Sequence, residues 1–133
     1  MRPQQFDVLV TTNMFGDILS DLTAGLVGGL GMAPGLCVGD KYAMAQATHG
    51  SAPDIAGKNV ANPYAMIMSA NMLLDWLARK NADENLLVAT QSIEKAVIKV
   101  MEEGAVTKDL GGNLSTTEMT NKICTYLKAW LSV

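Results

Sequence analysis

The sequence predicts an α/β protein with an incomplete sheet and several helices. A short β-branched run near the start precedes a segment of helical periodicity, three later segments also show helical periodicity, and few other stretches suit strands. A parallel sheet needs several strands covered on both faces, and a small one leaves open edges that proteins normally avoid. We therefore expect a larger α/β protein or a partner chain to complete this sheet.

The first half contains the predicted strands and one helix. Phe6 to Thr11 is predicted as a buried strand, parallel because a helix follows it. The helix should begin near Asp17 and run to Val27, since apolar residues recur there at helical spacing. Two further short strands are predicted at Leu36 to Val38 and at Tyr42 to Ala47.

A long irregular loop and a helix follow. Residues 49–63, HGSAPDIAGKNVANP, are rich in proline, glycine and asparagine and have no hydrophobic period. Loops of this length in compact domains are usually functional or disordered. Asn62 is predicted to cap a helix whose first residue is Pro63 and which runs to about Arg79. Its predicted apolar stripe comprises Met66, Ala70, Leu73, Leu74 and Leu77.

Two more helices are predicted at the end of the chain. The first runs from about Leu86 to Glu103, and Gly104 has the character of a helix terminator. After a turn at 107–112, Ser115 and Glu118 form a capping-box pair that starts the last helix. Its predicted apolar face comprises Met119, Ile123, Tyr126, Leu127 and Trp130.

Composition excludes several classes of protein. The 133 residues suffice for one core of ordinary size, and 49% are hydrophobic. A net charge of −3 argues against nucleic-acid binding, and no apolar run reaches the roughly 18 residues of a membrane span. The N-terminus does not resemble a secretory signal. Cys37 and Cys124 fit no metal spacing, so we expect buried or half-buried thiols in a reducing compartment, the cytoplasm or the mitochondrial matrix.

Asp17 and Asp21 are four residues apart on the first predicted helix. Their Cβ atoms should lie roughly 5–6 Å apart on one face, where a divalent cation would offset the repulsion of the two carboxylates. Alternatively, Asp17 is an N-cap and Asp21 a solvated first-turn residue, both favoured by the helix dipole. Spacing alone does not decide between these interpretations.

Three segments resemble one family. These are NMFGDILSDLTAGLVGGLGM at 13–32, the loop string at 49–63, and TKDLGG at 107–112. They are similar to the C-terminal part of the metal-dependent β-decarboxylating dehydrogenases, the isocitrate and isopropylmalate dehydrogenase family, with NAD-dependent isocitrate dehydrogenases as the nearest branch. The resemblance implies that family's fold, C-terminal portion only. It assigns residues 1–27 to the smaller domain that forms the dimer, and residues 28–133 to the larger, cofactor-binding domain.

The resemblance implies a metal site and a substrate. Asp17 and Asp21 correspond to family residues that bind Mg²⁺ or Mn²⁺, with a third aspartate from the neighbouring subunit of a dimer or higher oligomer. In this family the cation chelates the hydroxy-acid substrate and acts as a Lewis acid during decarboxylation. Isocitrate is the favoured substrate, from the strings LVGGLGMAPG and TKDLGG, and isopropylmalate is next.

The resemblance also implies an NAD site in the loop. By correspondence His49, Gly50, Ser51 and Ala52 line the cofactor, Asn62 hydrogen-bonds adenine, and Asp54 accepts from the ribose hydroxyls. A carboxylate at that position would repel a 2′-phosphate, which favours NAD. NADP-dependent relatives carry Lys-Tyr where this chain has Asp54 and Ile55. From the residues alone, His49 is equally a structural histidine and Asp54 a turn residue.

The resemblance implies that catalysis needs residues outside this chain. The family's substrate-binding arginines and its proton-transferring tyrosine and lysine lie in an N-terminal part that this sequence does not match. We therefore assign no catalytic residue and expect the chain to be inactive alone. The alternative is a non-catalytic partner or regulatory subunit of such an enzyme.

Overall fold

The computed structural model describes residues 2–131, which form four helices and a small sheet. The helices are α1 (Asn13–Leu26), α2 (Tyr64–Asn81), α3 (Glu84–Glu102) and α4 (Thr116–Leu131). Strands β1 (Leu36–Val38) and β2 (Ala43–Ala45) pair antiparallel, with Leu36 opposite Ala45 and Val38 opposite Ala43. This architecture confirms the prediction of an incomplete sheet with several helices.

The core lies between α3 and α4. Side chains of both helices and of their connection pack together there, and α2 covers them through Tyr64, Ile67 and Met68. On α3, Thr90, Val97 and Val100 are buried. The buried apolar cluster comprises Ala96, Val97, Val100, Ala105, Val106, Met119 and Ile123.

The end of α3 has the geometry predicted from Gly104. This glycine has a φ of 66°, and its N–H bonds to the carbonyl of Met101 at 2.9 Å. The N–H of Ala105 bonds to the carbonyl of Val100 at 3.1 Å. The pair of bonds satisfies two carbonyls at the helix end and turns the chain back toward α4.

A close backbone approach follows in the connection to α4. Thr107 bridges Leu114 in parallel fashion, and the Gly112 N–H donates to the Thr107 carbonyl at 3.1 Å. A Cβ on Gly112 would lie 2.0 Å from the carbonyl oxygen of Val106. Only glycine fits at this position.

The predicted capping box starts α4. Glu118 accepts from the backbone N–H and the hydroxyl of Ser115 at 2.8 and 2.7 Å. The Glu118 N–H in turn donates to the Ser115 hydroxyl at 3.3 Å. These donors lower the pKa of the Glu118 carboxyl, the backbone N–H contributing most.

The first predicted strand is wrong. Residues 6–12 form no regular element, and Phe6, Val8 and Val10 are exposed, Val10 to 92%. A strand needs a neighbour that pairs with its N–H and C=O groups, and this segment pairs with neither β1 nor β2. Its composition suits a sheet, but the described part of the chain supplies no sheet edge for it.

Helix α1 begins four residues earlier than predicted. The Gly16 N–H bonds to the Thr12 carbonyl at 2.9 Å, so Thr12 is the capping residue and Asn13 the first helical one. Gly16 therefore lies within the first turn of the helix. The apolar side of α1 is largely exposed, with Leu26 at 80%. Ile18 and Leu22 are exposed on the same helix.

The buried face of α2 differs from the predicted stripe. Ala65, Ser69, Asn71 and Ala78 are buried, whereas Met66 and Ala70 are exposed. The Ser69 hydroxyl donates to the Ala65 carbonyl at 2.7 Å and accepts from the Gly35 N–H at 3.1 Å, which links α2 to the segment before β1. Hydrogen bonding makes the Ser69 hydroxyl suitable for burial, which hydrophobic periodicity does not detect, whereas Asn71 Oδ1 is buried without a hydrogen-bond partner in the described part of the chain.

Two other predictions are corrected in detail. Both thiols, Cys37 and Cys124, are exposed rather than buried. The Ile67 N–H bonds to the Pro63 carbonyl at 3.1 Å, so Pro63 rather than Asn62 caps α2.

None of the helices within residues 2–131 combines the length and apolarity that crossing a bilayer requires.

Replacing Gly112 by alanine should destabilise the fold by about 3 kcal/mol, because the new Cβ collides with backbone. The measurement is the free energy of unfolding from urea titration. Gly50→Ala is the matched control, since nothing in the described structure lies within 4 Å of a Cβ there. Equal stability of the two variants would contradict the close approach.

The capping box should make the stability of the fold depend on pH in the acidic range. Because the folded-state pKa of Glu118 lies below the usual 4.5, its contribution is present above pH 4.5 and is lost as pH falls through the folded value. Glu118→Gln should therefore lower Tm at pH 7 but hardly at about pH 3. The exposed Glu94→Gln is the control, and a pH-independent Tm difference for Glu118→Gln would contradict the assignment.

Candidate functional site

Asp17 and Asp21 lie in the second and third turns of α1. Because the helix begins at Asn13, neither carboxylate is in the first turn, and Asp17 is not the N-cap. The favourable helix-dipole effect falls off within that first turn, so it does not explain this pair. Both residues are exposed, and neither side chain has a hydrogen bond or ion pair within residues 2–131. The two carboxylates are free to accept an external cation.

Asp17 faces the start of the predicted cofactor loop. It lines a shallow cleft of about 360 Å³ together with residues of β1 and of the segment that follows β2. One of these is Thr48, which immediately precedes His49. The fold therefore places Asp17 and the residue that leads into the loop on a common surface. The cleft is lined by Asp17, Gly35, Leu36, Cys37, Gln46, Ala47 and Thr48.

The loop encloses a small cleft of about 200 Å³. Five of the predicted cofactor residues line it, namely His49, Gly50, Ser51, Ala52 and Ile55. Thr116, the first residue of α4, contributes to the same wall. Asp54 lies outside this cleft on the short 3-10 turn Pro53–Ile55, where its side chain is exposed. The geometry brings most of the predicted set together and leaves Asp54 at the rim.

The backbone of the loop is unusual at three positions. Ala52, Gly57 and Asn59 have φ values of 43°, 74° and 56°. Glycine and asparagine tolerate this left-handed region, whereas alanine pays about 1 kcal/mol to adopt it. Strained residues of this kind concentrate at ligand-binding and catalytic positions. The strain at Ala52 is consistent with a loop shaped for a ligand.

His49 is exposed, so it is not a buried structural histidine. Its Nδ1 lies 3.0 Å from the carbonyl oxygen of Gly50. Nε2 has no hydrogen bond within the part of the chain that the structure describes. The ring therefore retains one nitrogen for an external partner.

The oxygen and the nitrogen of the Asn62 side-chain amide both make hydrogen bonds within the protein. Its Oδ1 accepts from the Tyr64 N–H at 2.9 Å, and its Nδ2 donates to Asp109 Oδ2 at 3.0 Å. Nδ2 also lies 3.5 Å from the sulfur of Met32. Oδ1 retains a second lone pair, and the second N–H of Nδ2 makes only the weak contact with sulfur, so a hydrogen bond to adenine would not have to break the bond to Asp109.

Sequence reasoning missed two residues that hold the loop. Asp109 fixes Asn62 and is itself fixed by the hydroxyl of the buried Thr107, which donates to Asp109 Oδ1 at 2.5 Å. Asn59 bonds to the start of α4 through its side chain and its carbonyl. The left-handed preference of asparagine after Gly57-Lys58 was the available signal for Asn59. Nothing local in TKDLGG indicates the bond from Asn62 to Asp109.

The donor set fits a cation shared with another chain. Within residues 2–131 no group of three His, Cys, Asp or Glu side chains is placed to hold a metal ion. Mg²⁺ is bound in proteins through one or two carboxylates plus water and substrate oxygens, and Asp17 and Asp21 meet that requirement. The pair therefore suits a site that other ligands complete.

Comparisons with known proteins agree on one family. Residues 1–123 match the family model described as isocitrate/isopropylmalate dehydrogenase. The isocitrate/homoisocitrate dehydrogenase of Thermus thermophilus is 54% identical over 129 residues, which cover 97% of this chain and 36% of that protein. Mitochondrial NAD isocitrate dehydrogenase catalytic subunit 5 of Arabidopsis thaliana is 50% identical over 95% of this chain and 32% of its own length.

The solved structures agree. The crystal structure of isocitrate dehydrogenase from Methylococcus capsulatus superposes with a TM-score of 0.82 at 48% identity, over 96% of this chain and 37% of that chain. This chain thus spans about a third of the length of the relatives it matches. On the family match and these similarities, the chain belongs to the isocitrate/isopropylmalate dehydrogenase family of β-decarboxylating dehydrogenases.

Proposed function

We propose that this chain carries the metal-binding and dinucleotide-binding part of an NAD-dependent, Mg²⁺- or Mn²⁺-dependent oxidative decarboxylase of a 2-hydroxy acid. The observation that carries the proposal is the cleft that joins Asp17 to Thr48, next to the loop at 49–62. Isocitrate is the favoured substrate and isopropylmalate the next. The names of similar relatives support both substrates, since isocitrate/homoisocitrate and NAD isocitrate dehydrogenases match at 54% and 50% identity and a 3-isopropylmalate dehydrogenase of Methanothermobacter thermautotrophicus at 51%.

Asp17 and Asp21 would hold the divalent cation. Their carboxylates are exposed, one helical turn apart, and free of partners within residues 2–131. A third aspartate from a neighbouring subunit would complete the protein ligands. When bound, the cation supplies Lewis-acid stabilisation of negative charge on the substrate oxygens. The protein's own part is to present two oxygens at a fixed spacing on a rigid helix.

The loop would bind NAD along its inner wall. His49, Gly50, Ser51, Ala52 and Ile55 line its cleft, which supports contact with a flat, partly apolar ligand. Asp54 at the rim offers carboxylate oxygens to ribose hydroxyls, which donate hydrogen bonds. The same charge would disfavour a 2′-phosphate, so NAD is the proposed dinucleotide.

We propose that residues outside this chain complete the enzyme. Residues 1–27 would belong to the smaller, dimer-forming domain and residues 28–133 to the larger one. The exposed apolar residues of α1, among them Ile18 and Leu22, support burial of this helix in a homodimer or higher oligomer. The substrate-binding and proton-transferring groups would come from further chain, so this chain alone should be inactive. The proposed compartment is the cytoplasm, or the mitochondrial matrix in a eukaryote.

The same exposed face of α1 also favours a second candidate function. A chain that docks α1 against a related full-length subunit would act as a non-catalytic partner or regulatory subunit. The unpaired carboxylates of Asp17 and Asp21 favour the first proposal, since docking alone does not need them. Activity of the intact protein in the tests below would decide between the two.

Asp21→Asn in the intact protein should weaken Mn²⁺ binding at least ~10-fold, since changes to residues that merely support a metal ligand already have effects of that size. The measurement is calorimetric titration with Mn²⁺, alongside the metal dependence of turnover. Asp40→Asn, at an exposed turn between β1 and β2, is the matched control. Wild-type affinity in Asp21→Asn would contradict the metal site.

Asp54→Lys combined with Ile55→Tyr should raise the ratio of kcat/KM for NADP over NAD by roughly tenfold or more, equivalent to about 1.4 kcal/mol. The lysine would attract the 2′-phosphate that Asp54 repels. Asp54→Asn is the control that removes the charge without adding a cation, and it should give an intermediate ratio. An unchanged ratio in the double variant would refute the role of Asp54.

A further inference from the structure

Asn59 joins the loop to the start of α4, far away in sequence. Its Oδ1 accepts from the N–H of Thr117 at 3.1 Å and from the Thr117 hydroxyl at 2.9 Å. Its backbone carbonyl accepts from the N–H of Thr116 at 3.0 Å. One asparagine therefore makes three hydrogen bonds to two consecutive residues of the helix.

These bonds satisfy helix donors that have no intrahelical acceptor. The first N–H groups of any α-helix lack a carbonyl one turn back. In α4, the N–H of Glu118 donates to the Ser115 hydroxyl at 3.3 Å, whereas the N–H of Met119 makes the first intrahelical bond, to the Ser115 carbonyl at 3.0 Å. Asn59 accepts from the N–H groups of Thr116 and Thr117. The loop thus supplies the acceptors for two of the three N–H groups at residues 116–118 that lack an intrahelical partner.

The conformation of Asn59 suits this function. Its φ of 56° lies in the left-handed region, which asparagine adopts more readily than most residues. In that conformation both its carbonyl and its side-chain oxygen reach α4. Glycine would allow the same backbone but has no side-chain acceptor, and aspartate would retain the acceptor.

Asn59 is the first point at which the loop is held by another part of the chain. Before it, the backbone bonds are local, from Ile55 N–H to Ala52 and from Lys58 N–H to Ile55, each at 3.1 Å. After it, the Thr116 hydroxyl donates to the Ala61 carbonyl. The cleft is lined by residues 49–52, which precede this anchored part of the loop, and also by Asn59 and Thr116, which form the anchor.

We propose that Asn59 is a positioning residue that sets the shape of the loop before the dinucleotide binds, by fixing it to the N-terminus of α4. A loop already held in its binding shape loses less conformational entropy when the ligand binds, so affinity rises without a new contact. This inference rests on the proposed role of the loop in NAD binding. Asn59 also lines the cleft, so faster amide exchange in the cofactor-free protein is the readout that loss of a direct contact with the cofactor would not produce.

The test compares Asn59→Gly with Asn59→Asp in the intact protein. Asn59→Gly should raise the Kd for NAD, measured by calorimetry, roughly tenfold, and should raise KM for NAD while kcat and KM for the hydroxy acid stay near wild type. Amide hydrogen exchange over residues 49–62, without cofactor, should become faster. Asn59→Asp should restore both readouts, because it keeps the acceptor oxygen.

Two outcomes would overturn the positioning role alone. One is wild-type NAD affinity in Asn59→Gly despite faster exchange, and the other is an equal loss of affinity in Asn59→Asp. Failure of the wild-type protein to bind NAD would instead overturn the proposed function, and the positioning role with it. An unchanged exchange rate in Asn59→Gly would show that the hydrogen bonds to α4 do not hold the loop.

Discussion

The first N–H groups of α4 are the constraint that organises the candidate site. A helix start must find acceptors outside its own carbonyl series, and here the Ser115 hydroxyl serves Glu118 while Asn59 serves Thr116 and Thr117. Because Asn59 belongs to the loop, satisfying the helix also ties the loop to the core that α3 and α4 form. An irregular segment thereby acquires a fixed end without a sheet or helix of its own.

At the start of the chain, by contrast, apolar residues are left exposed. The segment 6–12 and the apolar side of α1 find no surface to pack on within residues 2–131. Apolar area of this extent stabilises a protein only when another surface covers it. The two aspartates lie on this same helix, so the surface that covers α1 also determines what approaches the proposed metal site. Metal binding and assembly are therefore expected to depend on each other.

Features set by local chemistry could be predicted from the sequence, and features set by distant contacts could not. Gly104 and the Ser115–Glu118 pair act over three or four residues, and each has the predicted geometry. The segment at 6–11 has strand composition, but strand formation depends on a neighbour elsewhere. The hydrogen bonds from Asn59 to Thr117 and from Asn62 to Asp109 cross 58 and 47 residues, and no local pattern reports such separations.

Asn62 illustrates how one side chain can combine support with recognition. Its amide already accepts from Tyr64 and donates to Asp109, and Asp109 is held by the buried Thr107. The second N–H of Nδ2 makes only the weak contact with the sulfur of Met32, so a bond from it to a ligand would leave the bond to Asp109 intact. Asn62 therefore supports the end of the loop whether or not it also contacts a ligand. In the proposed function, recognition of the ligand would involve the cleft-lining residues 49–52 and the exposed Asp54 outside the cleft.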